Sequence, residues 1–309
     1  MQLIRGIKNI QPEDHGCVLT IGNFDGVHLG HQRVIQALIE KAKQHDAVPT
    51  VMVFEPQPQE LFAGDKAPAR LTRLRDKYRY LEELGVERLM CVNFSKSFAS
   101  QTAETFIEEL LVKQLGVKHL IIGDDFRFGK QRQGDFTMLK SYGEQLGFTV
   151  TDTASFKFED CRISSTAIRS ALEQDHLDEA ARMLGRDYAI SGKVFHGDKN
   201  GRKLGFPTAN VLLKRRVSPV SGVYVVKVKH NEIEYFGVAN IGCRPTLAGV
   251  RQQLEVHIFD FNQTIYGQHI EVIMLKKLRA ERKFDSLDAL TQQIKIDSEQ
   301  AKSFVATLA

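Results

Sequence analysis

The sequence predicts two domains of different class: an α/β domain with a parallel sheet over residues 1–186, then a small antiparallel β-barrel closed by a helix over residues 187–309. Three observations carry that division. The chain has 309 residues, more than one core normally supports, since single cores stop growing near ~250–300 residues. Apolar runs alternate with stretches of helical period as far as "LDEAARMLGRDY" (177–188). Beyond that point the helical period is lost until about residue 287, and short β-rich runs separated by turn residues replace it.

In the first domain, "CVLTIG" (17–22) reads as a buried strand, and "HQRVIQALIEKAKQ" (31–44) sets Val34, Ile35, Leu38, Ile39 and Ala42 at helical spacing. "VPTVMVFEP" (48–56) is the next strand, and "RLTRLRDKYRYLEELG" (70–85) a helix stopped by Gly85. "VERLMCVNF" (86–94) is a strand, followed by a helix with Thr102 as N-cap and Gly116 as its stop. "VKHLIIG" (117–123) and "FTVTDT" (148–153) are strands flanking the helix "FTMLKSYGEQLG" (136–147), and "STAIRSALEQ" (165–174) is a further helix. Strands alternating with helices give a parallel sheet covered on both faces, whose ligands bind past the carboxyl ends of the strands. In the second domain "YAISGKVFHG", "GVYVVKVKHNEIEYFGVANIG", "QLEVHIFDFN" and "HIEVIMLKKLR" read as strands, with a hairpin tip at His230-Asn231. The last helix turns Leu290, Ile294 and Phe304 toward the core.

Composition excludes several classes. Apolar residues make up 42% and charged residues 26%, the balance of a globular protein. The net charge of +4, from 42 basic and 38 acidic side chains, is too small to imply nucleic acid and suits anionic small substrates. Cys17, Cys91, Cys161 and Cys243 form no CxxC pair, so reduced thiols are expected rather than zinc or disulfides. No signal peptide and no apolar run of ~20 residues is evident. A cytoplasmic protein without membrane contact, nucleic-acid partner or obligate protein partner is expected.

"GNFDGVHLGH" (22–31) follows the first strong strand. His28 and His31, three residues apart at a helix start, share one face beside free backbone amides, while Gly26 and Gly30 admit close approach. The sum is a phosphate cradle with two movable donors; the same spacing also serves a helix cap or half of a metal site. "ISSTAIR" (163–169) adds Ser164, Ser165 and Arg169 at another helix start, a second phosphate grip. In the second domain "GKVFHGDKNGRKLGFPTAN" (192–210) is rich in glycine and basic residues but is no P-loop. The oxygens of Thr208 and Asn210 are hard ligands suited to Mg²⁺ carrying phosphates. Glu255 shares a strand face with His257, Phe259 and Phe261, where partial desolvation would fit it as a general base. A rim glutamate bonded to His257 is the alternative.

The strand-end G-x-x-H-x-G-H with a later I-S-S-T-x-x-R resembles the nucleotidyltransferase superfamily. Together with "GDDFRFG" (123–129), "GFPTAN", "GVYVV", "NIGCRPT", "LEVHIFDF" and "LRAERKF", it resembles the bacterial bifunctional riboflavin kinase/FMN adenylyltransferase family, the FAD synthetases, in order and over nearly the whole chain. The resemblance implies a Rossmann-like nucleotidyltransferase domain that turns FMN and ATP into FAD and pyrophosphate, and a barrel that phosphorylates riboflavin with ATP. It implies that His28 and His31 are catalytic. Nucleotide phosphates would meet Gly22, Asn23, Phe24, Asp25, Gly30, Ser164, Ser165 and Arg169 in the first domain, and Gly197, Gly201 and Lys203 in the second. Glu255 would be the kinase base, Thr208 and Asn210 the Mg²⁺ ligands, and Asp125, Arg127 and Arg279 flavin contacts. The rival reading is a nucleotidyltransferase for another phosphate ester, with a regulatory flavin-binding barrel.

Overall fold

Six of the apolar runs lie side by side as a parallel sheet. They are β1 (Gln2–Arg5), β2 (Cys17–Ile21), β3 (Val48–Glu55), β4 (Arg88–Asn93), β5 (Val117–Ile122) and β6 (Thr149–Asp152), in the order β1-β4-β3-β2-β5-β6. The structure is a computed structural model that describes every residue except 124, 153–162, 198–200, 202–204, 214–216, 247–248 and 309. Cys161 and Lys203 lie outside the described residues, as does the side chain of Cys243. From β2 the chain winds one way to β3 and β4, and β5 returns to the other side of β2. That reversal opens a crevice at the carboxyl ends of β2 and β5, where ligands bind in such sheets. "GNFDGVHLGH" follows β2 and "GDDFRFG" follows β5, so topology alone brings the two motifs to one edge.

The expected helices form around this sheet, together with two short ones that the sequence did not predict. They are α1 (Leu29–Gln44), the short α2 (Pro58–Ala63), α3 (Leu74–Glu83), the short α4 (Lys96–Ala99), α5 (Ala103–Thr105) and α6 (Phe136–Leu146). Thr102 caps α5 by accepting from the Thr105 amide at 3.2 Å. The same helix then widens into a π-helix over Phe106–Gln114, a change of pitch that period counting does not see. Gly116 ends it at φ +53°, where a Cβ would meet the His15 ring at 2.2 Å. Cys17 is fully buried, and burial pushes its thiol up to about 11, so the protonated thiol is unreactive.

The second unit contains a closed barrel of β7 (Ala189–Phe195), β8 (Ala209–Leu212), β9 (Gly222–His230), β10 (Ile233–Thr246), β11 (Gly249–Ile258) and β12 (His269–Arg279), ordered β10-β11-β8-β7-β12-β9. The hairpin between β9 and β10 turns on Asn231 and Glu232, both in the left-handed region at φ 49° and 65°, as a type I′ turn requires. Tyr224, Val226, Ala239, Ile241, Leu254 and Val256 fill the interior. Helices α7 (Ser165–Glu173) and α8 (Leu177–Leu184) pack into that same core through Ile168, Leu172 and Leu184, so packing divides the chain into Met1–Pro68 with Thr72–Ser164, and Ala69–Leu71 with Ser165–Ala309.

The last helix, α9 (Leu287–Ala306), departs from expectation. Its buried residues are Asp297, Ser298 and Ala301, while Leu290, Ile294 and Phe304 are only half-buried. The reason is that α9 closes over the outer face of the barrel across an open cleft rather than against a dry core.

Candidate active sites

The loop after β2 is built around a buried carboxylate. Asp25 is 2% exposed, and its Oδ1 accepts from the Thr72 amide at 2.9 Å and from the Thr72 hydroxyl at 3.2 Å. Thr72 Oγ1 in turn accepts from the Gly26 amide at 2.9 Å. Thus pinned, the loop holds two non-glycine residues in the left-handed region, Phe24 at φ 46° and Val27 at φ 43°. For a buried β-branched valine that is a strained conformation, of the kind retained where geometry matters. Gly22 lies against the Phe24 ring, where a Cβ would come to 3.2 Å.

His28 is the N-cap of α1. Its Nδ1 accepts from the His31 amide at 3.2 Å, so neutral His28 carries its proton on Nε2. The His28 and His31 rings stack at 3.6 Å between centroids, and Phe24 lies 4.9 Å from His31. Gly30 is hemmed in by the His28 ring and by the Ile163 carbonyl, 3.2 and 3.7 Å from where a Cβ would stand. Ile163, next to Ser164, therefore lies against this loop. Ser165 and Arg169 belong to the second unit, where Arg169 Nε donates to the Ala69 carbonyl at 2.6 Å. Asp125 and Arg127 are exposed in the loop after β5, and Arg127 Nη1 donates to the Phe126 carbonyl at 3.1 Å.

Around the same crevice runs an aromatic row that motif reading passed over. Phe54 meets Phe94 edge-on at 5.4 Å, Phe94 meets Phe98 at 5.8 Å, and Phe106 meets Phe128 at 5.2 Å. Phe62 joins Phe94 edge-on at 6.0 Å while remaining 69% exposed. The detectable signal was the clustering of phenylalanines just beyond strand ends.

On the barrel, register does what the motif spacing could not show. Asn210 pairs with Glu255, Glu255 with Asn240, Asn240 with Val223, and Val223 with Arg279. These five residues form one row across β8, β11, β10, β9 and β12 on the face opposite the core, and all five line a cleft of about 400 Å³. Arg279 joins the row by way of two register shifts in β12. At one end of the row, Gln253 donates to Asn210 Oδ1 and, at 3.0 Å, to Glu255 Oε1. His257, the partner of Glu255 in the alternative reading, has its Nδ1 at 2.9 Å from the Pro207 carbonyl. Gly197 and Gly201 lie close to this end. A Cβ on Gly197 would strike the Asn210 amide at 2.6 Å, and one on Gly201 would strike the Phe206 carbonyl at 2.4 Å and Thr208 Oγ1 at 3.3 Å.

At the other end, Arg279 forms a fork with Asp297 of α9: Nε lies 3.1 Å from both oxygens and Nη2 2.8 Å from Oδ2. Asp297 is 2% exposed and also accepts from Gln293 at 2.7 Å. The guanidinium of Arg279 stands 5.6 Å from the Phe284 ring. Gln253, Asn240, Phe284 and Asp297 were not singled out from sequence. Gln253 was accessible by counting two back from Glu255; Asp297 was not, because only tertiary packing brings α9 there.

Comparison with known proteins follows this two-part geometry. The FAD synthetase family model matches residues 10–167, and the riboflavin kinase model matches residues 184–305. The chain is 56% identical over 306 residues to the bifunctional riboflavin kinase/FMN adenylyltransferase of Escherichia coli (strain K12), covering 98% of both chains. The chain belongs to the bifunctional riboflavin kinase/FMN adenylyltransferase family. The member from Haemophilus influenzae is 53% identical over 305 residues, covering 98% of this chain and 99% of its own. A crystal structure described as a macrolide-efflux protein from Streptococcus pneumoniae matches with a TM-score of 0.80 at 33% identity, covering 98% of this chain and 99% of that one. Among the described residues no helix is long and apolar enough to cross a membrane.

Proposed function

We propose that the two activities of this family, which makes FMN from riboflavin and FAD from FMN, are divided between the two sites just described, with the functional boundary near residue 186 and ATP as co-substrate of both. A cytoplasmic location suits these reactions, since ATP is supplied there. The observation that carries the proposal is the barrel row, because the register of five strands aligns the base Glu255, the metal ligand Asn210 and the flavin contact Arg279, inferred from separate motifs.

In the barrel cleft, Glu255 takes the proton of riboflavin's terminal hydroxyl as its oxygen attacks the γ-phosphorus of ATP, and ADP leaves with the bond electrons. Gly197, Gly201 and Lys203 cover the phosphates. Thr208 and Asn210 fit Mg²⁺: they offer neutral hard oxygens, and among the described residues no group of three or more His, Cys, Asp or Glu is placed to hold a metal by itself. Bound there, the ion would neutralise charge on phosphates that supply most of its ligands. Arg279, held by Asp297, contacts the flavin ring.

In the first unit a phosphate oxygen of FMN attacks the α-phosphorus of a second ATP and pyrophosphate departs. His28 and His31 steady the phosphates with N–H donors, together with the loop backbone at Gly22, Asn23, Phe24 and Gly30. Asp25 shapes that loop through Thr72. Ser164, the last residue of this unit, stabilises the departing pyrophosphate. Asp125 and Arg127 approach the flavin from the loop after β5, and the aromatic row ending in exposed Phe62 is a surface on which a planar ring can pack.

The test is a pair of variants. Glu255→Gln should lower FMN formation by ~10²–10⁴ and leave conversion of supplied FMN to FAD intact. His28→Ala should let riboflavin become FMN but lower FAD formation by ~10²–10³. Mixing the two variants should restore riboflavin-to-FAD conversion. Loss of both activities in either folded variant would refute the assignment of two separate sites.

A further inference from the structure

Two polar atoms at the barrel cleft have no use in the reaction as described. Asn240 stands between Glu255 and Val223 in the row. Its Nδ2 donates to Glu281 Oε1 at 3.2 Å, and Glu281 is seated against Gly242, the only residue type that leaves it room there. A carboxylate accepts and does not donate, so this bond fixes which end of the amide faces Glu281. The other end, Oδ1, is buried and has no hydrogen-bond partner among the described residues. Ser298 Oγ, on α9, is in the same condition, and Ser298 is 8% exposed. Both residues line the cleft. An unmet buried polar group costs ~1–3 kcal/mol. Two of them at the walls of one cavity point to a bound group that completes them.

Their place in the row indicates which group. On the reading that this cleft takes riboflavin, we propose that Asn240 and Ser298 are specificity-determining residues that hydrogen-bond the secondary hydroxyls of the substrate's polyhydroxylated chain. The chain's terminal hydroxyl lies at Glu255. The neighbouring strand is ~4.8 Å further along the row, within the length of the chain, and there the row presents Asn240. The ring lies beyond, by Arg279 and Phe284. A hydroxyl both donates and accepts, so it satisfies an orphaned amide oxygen and a serine hydroxyl alike.

The experiment compares two substrates on the full chain: riboflavin, and an isoalloxazine bearing an unbranched hydroxypentyl chain, which keeps the terminal hydroxyl and lacks the secondary ones. Wild-type protein should prefer riboflavin in kcat/KM by ~10–100-fold. Asn240→Leu should lose about tenfold on riboflavin and little on the analogue, so that the preference collapses. Ser298→Ala, which removes one hydroxyl and keeps the helix, should lose several-fold in the same selective way. Retained turnover of the analogue reports that the barrel of each variant is folded. An equal loss on both substrates, or a preference unchanged in both variants, would overturn the proposal. Glu255→Gln, assayed alongside, tests the underlying reading separately: if it phosphorylates riboflavin at the wild-type rate, the cleft is not the kinase site.

Discussion

His119 makes the β5–β6 edge of the first unit sensitive to acid. The side chain is 4% exposed. Its Nδ1 lies 2.5 Å from Thr149 Oγ1 and its Nε2 3.1 Å from Thr151 Oγ1, so both nitrogens are engaged with hydroxyls of β6. Burial, reinforced by the nearby His45 and Lys41 charges, pushes the imidazole down from 6.5 to about 4. The unfolded chain therefore binds a proton that the folded edge refuses. His119 contributes fully above pH 6.5 and progressively less as pH falls from 6.5 toward 4. Between pH 7.5 and pH 5 the loss is about 2 kcal/mol, with a ceiling of about 3 kcal/mol below pH 4. Amide exchange read by mass spectrometry on peptides covering β5 and β6 measures this locally. Protection factors, corrected for intrinsic rates, should fall about 30-fold over that interval in wild-type protein, the equivalent of about 2 kcal/mol. In His119→Gln, which cannot titrate, the extra pH dependence should vanish even if overall protection is lower. An identical pH slope in both proteins would refute the argument. β5 leads directly into the loop bearing Asp125 and Arg127, so FAD formation should weaken over the same pH range.

Two further outcomes follow from the packing. A fragment beginning at Ser165 should melt well above one beginning at residue 187, by several kcal/mol in urea titration, because the shorter one loses the buried Ile168, Leu172 and Leu184 and the Asp175–Lys277 ion pair at 2.8 Å. Asp297→Asn should raise the KM for riboflavin by ~10–100-fold while leaving FMN adenylylation unchanged, since Arg279 loses the partner that fixes its fork; steady-state kinetics on each half-reaction will show it.

Sequence reading reached the fold class and the order of most elements because the signals there are local. The continuous apolar runs of β2 to β5, the Thr102 cap and the Asn231 turn are each decided within a few residues. It also singled out both histidines, Glu255, Thr208 and Asn210 as candidates, because each sits in a compact motif; the structure puts the histidines at the start of α1 and the other three at the barrel cleft. What it could not reach depends on long-range pairing. The row from Asn210 to Arg279 joins five strands, and its register includes two shifts in β12 that no spacing rule foresees. The packing of α7 and α8 into the barrel core arises from Ile168 and Leu172, apolar helix positions that would suit either unit. The buried polar face of α9 contradicts the simple expectation that a closing helix turns its leucines and isoleucines inward.

The two sites also differ in a way that fits the different nucleophiles proposed for them. An alcohol must lose a proton as it attacks, so its site needs a carboxylate able to accept one. The barrel supplies Glu255 at the cleft, half-exposed and bridged through Gln253 to Asn210. A phosphate monoester is already an anion and gains nothing from a base; a nearby carboxylate would repel it. The loop after β2 does contain a carboxylate, yet Asp25 is buried and its Oδ1 is engaged by the amide and hydroxyl of Thr72. What remains at the start of α1 is a donor set: the His28 Nε2–H and the amides of a helix N-terminus. Exchanging these arrangements would disable both reactions. A carboxylate brought to the His28 face should therefore slow FAD formation through charge repulsion alone, and the effect should shrink as ionic strength rises.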